Sequence, residues 1–301
     1  MLKKFDEIVD YVREKGTKKR IAIAGPQDVD VLKCAIQARR IGLAEFVLVG
    51  NSKKIIETLE KLQQNPVDWE IVNGENDFMA ADIVAKMIVS NEADLPMKGL
   101  LHTSVFLKSI LNKELNLVNK NALLSQVTVL EYEKENRLML ITDCAINIAP
   151  TYEEKMKIVQ NAVNFCHKLG IEEPKVAVIA PVEEVKLSIP STLDAALLSK
   201  SAERRQLSGC IVDGPLGLDN ALSKEAAKQK GIRSSVAGNA DVLLMPDLAA
   251  GNILDKSLRY FASYKTAGCV LGAKVPLIMT SRSDSPENKL NAIACSLLQI
   301  T

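Results

Sequence analysis

Short apolar runs, bounded by glycine or small polar residues and separated by longer helical patterns, constrain this chain more than any other feature. They read RIAIAG, EFVLVG, KGLLHT, ALLSQVTVL, RLMLIT, KVAVIA, GCIVDG, ADVLLM, AGCVLG and VPLIMT. Strands of this continuous apolar kind belong in sheets covered on both faces. Between them lie VDVLKCAIQARRIG, DFMAADIVAKMIVSN, YEEKMKIVQNAVNFCHKLG, STLDAALLSKSAERR, NILDKSLRYFASY and ENKLNAIACSLLQ, all with helical spacing. The alternation predicts doubly wound α/β architecture. At 301 residues the chain exceeds the size at which a single core stops growing, so two α/β lobes with a cleft between them are expected.

One place breaks the alternation. ALLSQVTVLEY and RLMLITDCA are separated only by EKEN, which reads as a hairpin turn rather than a crossover helix and predicts a mixed sheet. The lobe boundary is expected near Asp143–Pro150, where INIAPT precedes a long helix, and the last helix is expected to return to the first lobe. The first lobe would then hold 1–142 with 274–301, and the second 143–273. No repeat, low-complexity tract or flexible linker stands out.

Several function classes lose their support. Lys and Arg number 38 against 37 Asp and Glu, so no net field draws the chain to nucleic acid or an anionic membrane, and any bound anion is gripped locally. The six cysteines never form C-x-x-C, which argues against a zinc knot or redox motif and fits buried thiols in a reducing cytosol. MLKKFDEIVDYVREKG alternates charges with apolar residues at helical spacing, unlike a signal peptide, and no apolar run approaches the roughly 20 residues that cross a bilayer. A cytoplasmic protein with no membrane partner is expected. G-x-G-x-x-G after a strand, a full P-loop and G-x-S-x-G are all absent, which removes the sequence support for dinucleotide, P-loop and serine acyl-enzyme chemistry. His102 and His167 are too few for a histidine-rich metal site, and no metal is expected.

In open α/β sheets ligands collect beyond the carboxyl ends of the strands. Those ends read Gly25-Pro26-Gln27, Gly50-Asn51-Ser52, His102-Thr103-Ser104, Thr142-Asp143-Cys144, Asp213-Gly214-Pro215, Pro246-Asp247 and Thr280-Ser281-Arg282. They are small, polar and helix-starting, which suits anions; each is equally what an ordinary capped strand-to-helix turn looks like. His102, at one such end, either serves a ligand or bonds backbone, while His167 reads as a helix C-terminal residue. TSRSDSPENKL is the most concentrated polar stretch after a buried-looking strand. It offers Ser281 and Arg282 as donors, Asp284 and Glu287 as bases, and Ser285-Pro286 to open the last helix. An arginine fork holds phosphate bidentately, a hydroxyl or amide donor stabilises an oxyanion, and a carboxylate accepts a thiol proton. The same segment also reads as a surface turn before a capped helix.

Taken together, ADVLLMPDLAAGNILDKSLRYFA, VPLIMTSRSDSPE, GCIVDGPLGLDNALS and ITDCAINIAP resemble the phosphate acetyl/butyryltransferase family, best from about residue 98 onward. MPDLAAGN is similar to the family's P-D-L-x-x-G-N segment, and DCAINIAP looks closer to the butyryl and branched-chain members. The resemblance implies an isocitrate/isopropylmalate dehydrogenase-like fold and a homodimer. Acyl-CoA and inorganic phosphate would be the substrates, with direct acyl transfer and no metal, permanent cofactor or covalent acyl-enzyme. The family's Ser-Arg pair falls on Ser281 and Arg282. The aspartate proposed as base in the acetyl enzymes lies seven residues after that serine and here becomes Asn288, leaving Glu287 and Asp284, or water or phosphate itself, to take the proton. An arginine that binds the anionic substrate in the acetyl enzymes falls on Lys108, which keeps the charge and loses the fork, or is simply a solvated helix residue. His102 and Thr103 stand on the same stretch, and Asp247, Gly251, Asn252, Asp213 and Gly214 would line the CoA side.

Two rival readings remain at this level. A metal-assisted, NAD(P)-dependent decarboxylating dehydrogenase would need clustered aspartates and substrate arginines, and only Asp213 with Asp219 and Asp241 with Asp247 lie near each other, without the arginines. A non-enzymatic two-lobed anion-binding protein is the other, with the absent signal peptide against it. Acyl-chain preference is not legible, because one methylene is worth only about 1–3 kcal/mol and depends on pocket shape.

Overall fold

An amphipathic helix, α1 (Phe5–Glu14), buries Phe5, Ile8 and Val12 along one stripe and leaves its charges to solvent. Strand and helix then alternate: β1 (Lys19–Ala24), α2 (Val29–Arg40), β2 (Ala44–Gly50), α3 (Ser52–Lys61), β3 (Glu70–Asn73), α4 (Asp77–Val89), β4 (Leu95–Lys98) and α5 (Thr103–Ile110). Asp28, Asn51 and Asn76 stop the preceding loops by capping α2, α3 and α4, their side chains accepting backbone N–H bonds from the first turn. The hairpin of β5 (Ser125–Tyr132) and β6 (Arg137–Thr142) follows, turning through Asn136 at a left-handed φ of 49°. Next come α6 (Tyr152–Lys168), started by a Thr151–Glu154 capping box, β7 (Lys175–Ile179), α7 (Pro190–Glu203) and β8 (Ile211–Leu216). After α8 (Leu218–Leu222), α9 (Lys224–Gln229), β9 (Val242–Leu244) and α10 (Leu248–Tyr260), the chain closes with β10 (Thr266–Leu271), β11 (Ile278–Met279) and α11 (Pro286–Leu298).

This computed structural model describes residues 1–16, 18–281 and 284–301, and backbone contacts divide them into two units. The terminal unit comprises Phe5–Ala122 and Ala267–Thr301; the central unit comprises Met1–Lys4 and Leu123–Thr266.

In the terminal unit the strands lie in the order β11-β4-β1-β2-β3, each described pair parallel. Ile21–Ala24 of β1 are fully buried, as continuous apolar strands require. Helix α11 is buried from Lys289 to Leu298 on every side and packs on α1 and α2.

The other sheet runs in the order β10-β5-β6-β9-β7-β8; β5 to β9 lie in the central unit, whose last residue, Thr266, opens β10. β5 and β6 are antiparallel while β6–β9, β9–β7 and β7–β8 are parallel, the mixed sheet that the short EKEN turn predicts. Leu130, Ile141, Ala177, Leu216 and Leu243 form its core.

Two expectations are corrected. KGLLHT is not a strand: pairing covers Leu95–Lys98, and from Gly99 the chain leaves the sheet to bond the β1 end. The isocitrate/isopropylmalate dehydrogenase-like fold is also set aside. It came with the resemblance, whereas the strand orders above follow from which backbone edges pair, in two separate sheets. The division falls at 122/123 and 266/267, and the hairpin, which bonds to β9, lies with the central unit.

Candidate functional site

At the carboxyl ends of the adjacent strands β11, β4 and β1 the chain folds over itself. Gly99 N–H donates to the Ala24 carbonyl at 2.8 Å and Leu100 N–H to the Gly25 carbonyl at 2.7 Å. The approach excludes any side chain, since a Cβ on Gly99 would lie 2.2 Å from the Gly25 oxygen. Beside this crossing is a cavity of about 20 Å³ lined by Asp28, Val31, Gly99, Leu100, Thr280, Ser281 and Lys289.

Ser281 enters a tight turn in which its N–H donates to Asp284 Oδ2 at 2.7 Å and its carbonyl accepts from Asp284 N–H at 3.2 Å. Ser285 then caps α11 by accepting from Asn288 N–H at 3.1 Å. Arg282 lies outside the described residues. Asp284 is buried with its carboxylate on the turn, Glu287 is exposed on the first turn of α11, and Asn288 is half-buried beside it. Nearby in sequence to Gly99, His102 occupies the N-cap position of α5 without a side-chain capping bond, and Thr103 opens the helix. Both are exposed, as is Lys108 in the last turn. The structure thus brings Ser281 together with Asp284, and gathers His102, Thr103 and Lys108 on α5.

Asp247, Gly251, Asn252, Asp213 and Gly214 belong to the central unit. There P-D-L-A-A-G-N and D-C-A-I-N prove to be two halves of one lock. Asp143, 3% exposed, accepts Gln126 N–H at 3.0 Å and Asn147 Nδ2 at 2.6 Å on Oδ2. Its Oδ1 accepts Ala145 N–H at 2.8 Å and Ile146 N–H at 2.9 Å. Asp247 caps α10 by accepting Ala250 N–H at 2.9 Å. Leu248 N–H donates to the Ile148 carbonyl at 3.0 Å, and Asn252 Nδ2 to the Cys144 carbonyl at 3.1 Å. One turn further along α10, Asp255 accepts from Thr128 Oγ1 and from Arg259 Nη2, both at 2.8 Å.

Asp213 and Gly214 stand apart from that lock, on an open groove of about 530 Å³ that Ser199, Lys200, Glu203 and Cys210 also line. Asp213 Oδ1 accepts Gly214 N–H at 2.8 Å. Gly214 is required by packing: a Cβ there would meet the Val178 carbonyl oxygen at 2.8 Å. Beyond β8, Lys230 Nζ pairs with Glu183 at 2.6 Å and Asp219 at 2.9 Å. The hydrogen bond from Lys230 lowers both carboxyl pKa values and raises that of the ammonium. Asp241 is likewise engaged, with Arg137 Nη1 at 3.3 Å and Lys175 N–H at 2.9 Å. His167 Nε2 donates to the Gly209 carbonyl at 3.0 Å, the neighbour contact its helix-end position suggests.

Sequence reasoning passed over Asp143 as a ligand of backbone and Lys289 altogether. Asp143 was visible as the first polar residue after a strand. Nothing local marks Lys289, which stands among Glu287, Asn288 and Asn291 at the helix start.

Parallel strands ending in capped polar turns, with a buried carboxylate fastening a helix start, define an α/β protein of the open-sheet class, in which ligands collect beyond the carboxyl ends of the strands. The chain belongs to the family described as Phosphate acetyl/butaryl transferase, which matches residues 57–297. It is similar to the phosphate butyryltransferase of Clostridium acetobutylicum, at 45% identity over 298 residues that cover 99% of this chain and 98% of the relative. Among solved structures it superposes on a branched-chain phosphotransacylase from Enterococcus faecalis V583 with a TM-score of 0.81 and 30% identity, covering 94% of this chain and 99% of the other. A phosphotransacetylase from Streptococcus pyogenes shares the fold at TM-score 0.82 and 22% identity over 98% of both chains. These matches replace the isocitrate/isopropylmalate dehydrogenase-like expectation with the α/β fold of the phosphotransacylases.

Proposed function

We propose that this chain exchanges a short-chain acyl group, butanoyl or branched, between CoA and inorganic phosphate, giving acyl phosphate and CoA. The observation that carries the reading is identity of 45% with a phosphate butyryltransferase along nearly the whole of both chains. In one direction a phosphate oxygen attacks the thioester carbonyl, the C–S bond breaks, and the CoA sulfur leaves with a proton. In the other direction a base takes the thiol proton, because free thiols with pKa about 8.5 are mostly protonated at neutral pH. Ser281 and Arg282 serve phosphate and the reacting centre, with His102, Thr103 and Lys108 contributing on the phosphate side. We assign the proton acceptor to Glu287, since Asp284 Oδ2 accepts the Ser281 N–H and the residue is buried. On the CoA side, Asp213 and the surface of the Asp247–Asn252 turn are the contacts. A homodimer working in the cytoplasm completes the reading.

The dehydrogenase alternative loses ground on geometry. Of the aspartates it needed, Asp219 pairs with Lys230, Asp241 with Arg137, and Asp247 caps α10. Mixing the protein with butanoyl-CoA and following free thiol with and without phosphate tests the proposal. Phosphate-dependent release is expected, and Arg282→Ala is expected to lose most of it while folding normally. Thiol release indifferent to phosphate for every acyl-CoA from acetyl to isovaleryl would sink the reading.

A further inference from the structure

Lys289 carries a buried cation that the reaction scheme above does not use. The residue is 1% exposed, on the first turn of a helix enclosed on all sides. Its Nζ donates to the Asp284 carbonyl, and among the described residues that is its one hydrogen bond. It forms no ion pair there either. A lysine ammonium has three donors, so two are left over. An ammonium out of water without a counter-charge is costly and persists where something compensates it.

Lys289 lines the cavity of about 20 Å³ at the ends of β1, β4 and β11, together with Ser281, Gly99 and Leu100. By volume it holds one water-sized oxygen and no more. The other charged residue on the cavity is Asp28, whose Oδ1 is occupied by Asp30 and Val31 N–H groups in capping α2. Cys34 is close enough to feel the ammonium, but burial dominates and pushes its thiol up to about 12, so it supplies no anion.

We propose that Lys289 is a phosphate-binding residue: its ammonium takes one oxygen of the phosphate group inside this cavity, with the rest of the anion outside it, next to Ser281. The inference rests on the acyl-transfer reading for the identity of the anion. It accords with Lys108, where a point charge stands in place of a fork: a second, buried ammonium adds positive charge for the anion. A purely structural lysine, tying the Asp284 carbonyl to α11, is the competing account.

Lys289→Met keeps an unbranched side chain one atom shorter and removes the charge; Lys289→Gln keeps a donor for the Asp284 carbonyl. In both, KM for phosphate is expected to rise at least about tenfold, the worth of one charge-assisted hydrogen bond, while KM for butanoyl-CoA stays within about twofold. The rise in thermal midpoint that inorganic phosphate gives the unaltered protein should vanish as well. Unchanged phosphate KM and an unchanged phosphate-induced shift in a folded variant overturn the proposal, as does a loss of stability with no selectivity for phosphate. Should neither variant fold, crystals of the unaltered protein soaked in inorganic phosphate decide it. A phosphate oxygen within hydrogen-bond distance of Nζ supports the assignment, and phosphate seated elsewhere refutes it. If the unaltered protein releases thiol without needing phosphate, the acyl-transfer reading fails by itself, and the soak still reports on Lys289.

Discussion

A methyl group placed on Gly251 would lie 2.2 Å from the carbonyl oxygen of Asp143. No side chain fits between the first turn of α10 and the strand-end loop it faces. The glycine that makes P-D-L-A-A-G-N recognisable is therefore a matter of clearance. Alanine is favoured over glycine in a helix by about 1 kcal/mol, so propensity alone says Gly251→Ala stabilises. Clearance predicts the reverse, a loss of at least about 1–3 kcal/mol in urea unfolding. A variant as stable as the parent would show that the contact yields freely.

Asp143 should be the most sensitive carboxylate in the central unit. Its two oxygens accept four N–H groups, three from backbone and one from Asn147. Asp143→Asn turns an NH₂ toward donors, at a cost of about 1–3 kcal/mol for each one stranded. Asp213→Asn, which disturbs one bond to Gly214, should cost under about 1 kcal/mol. Equal losses from the two substitutions would contradict the ranking.

The Lys230 triad sets a pH signature. Glu183 and Asp219 have folded pKa values below their ordinary ones, so their contribution is whole above about pH 4.5 and fades as pH falls through the lowered values. Lys230 is raised, so its side of the bargain holds below about 10.5 and is lost as pH climbs past that. Lys230 and Asp219 are exposed and Glu183 is half-buried, so the effect is screened and small. The thermal midpoint gap between the parent and Lys230→Met should be widest between these limits and narrow toward pH 3. A gap independent of pH would mean the lysine acts through packing.

Thiol reactivity should follow burial. Cys210, half-exposed, has its thiol pushed up to about 11 by desolvation, and fully buried Cys34 reaches about 12. At pH 8 roughly one Cys210 in a thousand is thiolate. Iodoacetamide on the native protein, read by peptide mass spectrometry, should label Cys210 slowly and first, faster as pH rises, with Cys34 protected until unfolding. Labelling of Cys34 ahead of Cys210 would refute the burial order.

What the sequence disclosed, and what it withheld, divides along physical lines. RIAIAG and EFVLVG announced β1 and β2 because an apolar run without alternation has few other uses, and EKEN announced the hairpin because four residues cannot hold a crossover helix. KGLLHT misled, since Gly99 and Leu100 turn their backbone N–H groups to the Ala24 and Gly25 carbonyls instead of extending β4, a contact distant in sequence. Gly251 and Asn252 were legible as a motif, but that they face Asp143 and Cys144, over a hundred residues away, was not. Lys289 looked like one more charge in a polar segment, because burial of a first-turn residue depends on α1 and α2 closing over α11.

The terminal unit is assembled from two stretches, 5–122 and 267–301, with β11 pairing on β4 and α11 packing on α1 and α2. During synthesis residues 5–122 emerge well before their missing edge strand and core helix, and the central unit, 123–266, is complete in between. Domains fold as units as they leave the ribosome, so here the middle of the chain matures first. The earliest-made strands wait with the β4 edge unpaired, a surface inviting to other chains. The turn at Ser281, which joins the late strand to the late helix, is set only when that wait ends, so a half-made chain lacks the Ser281–Asp284 turn altogether.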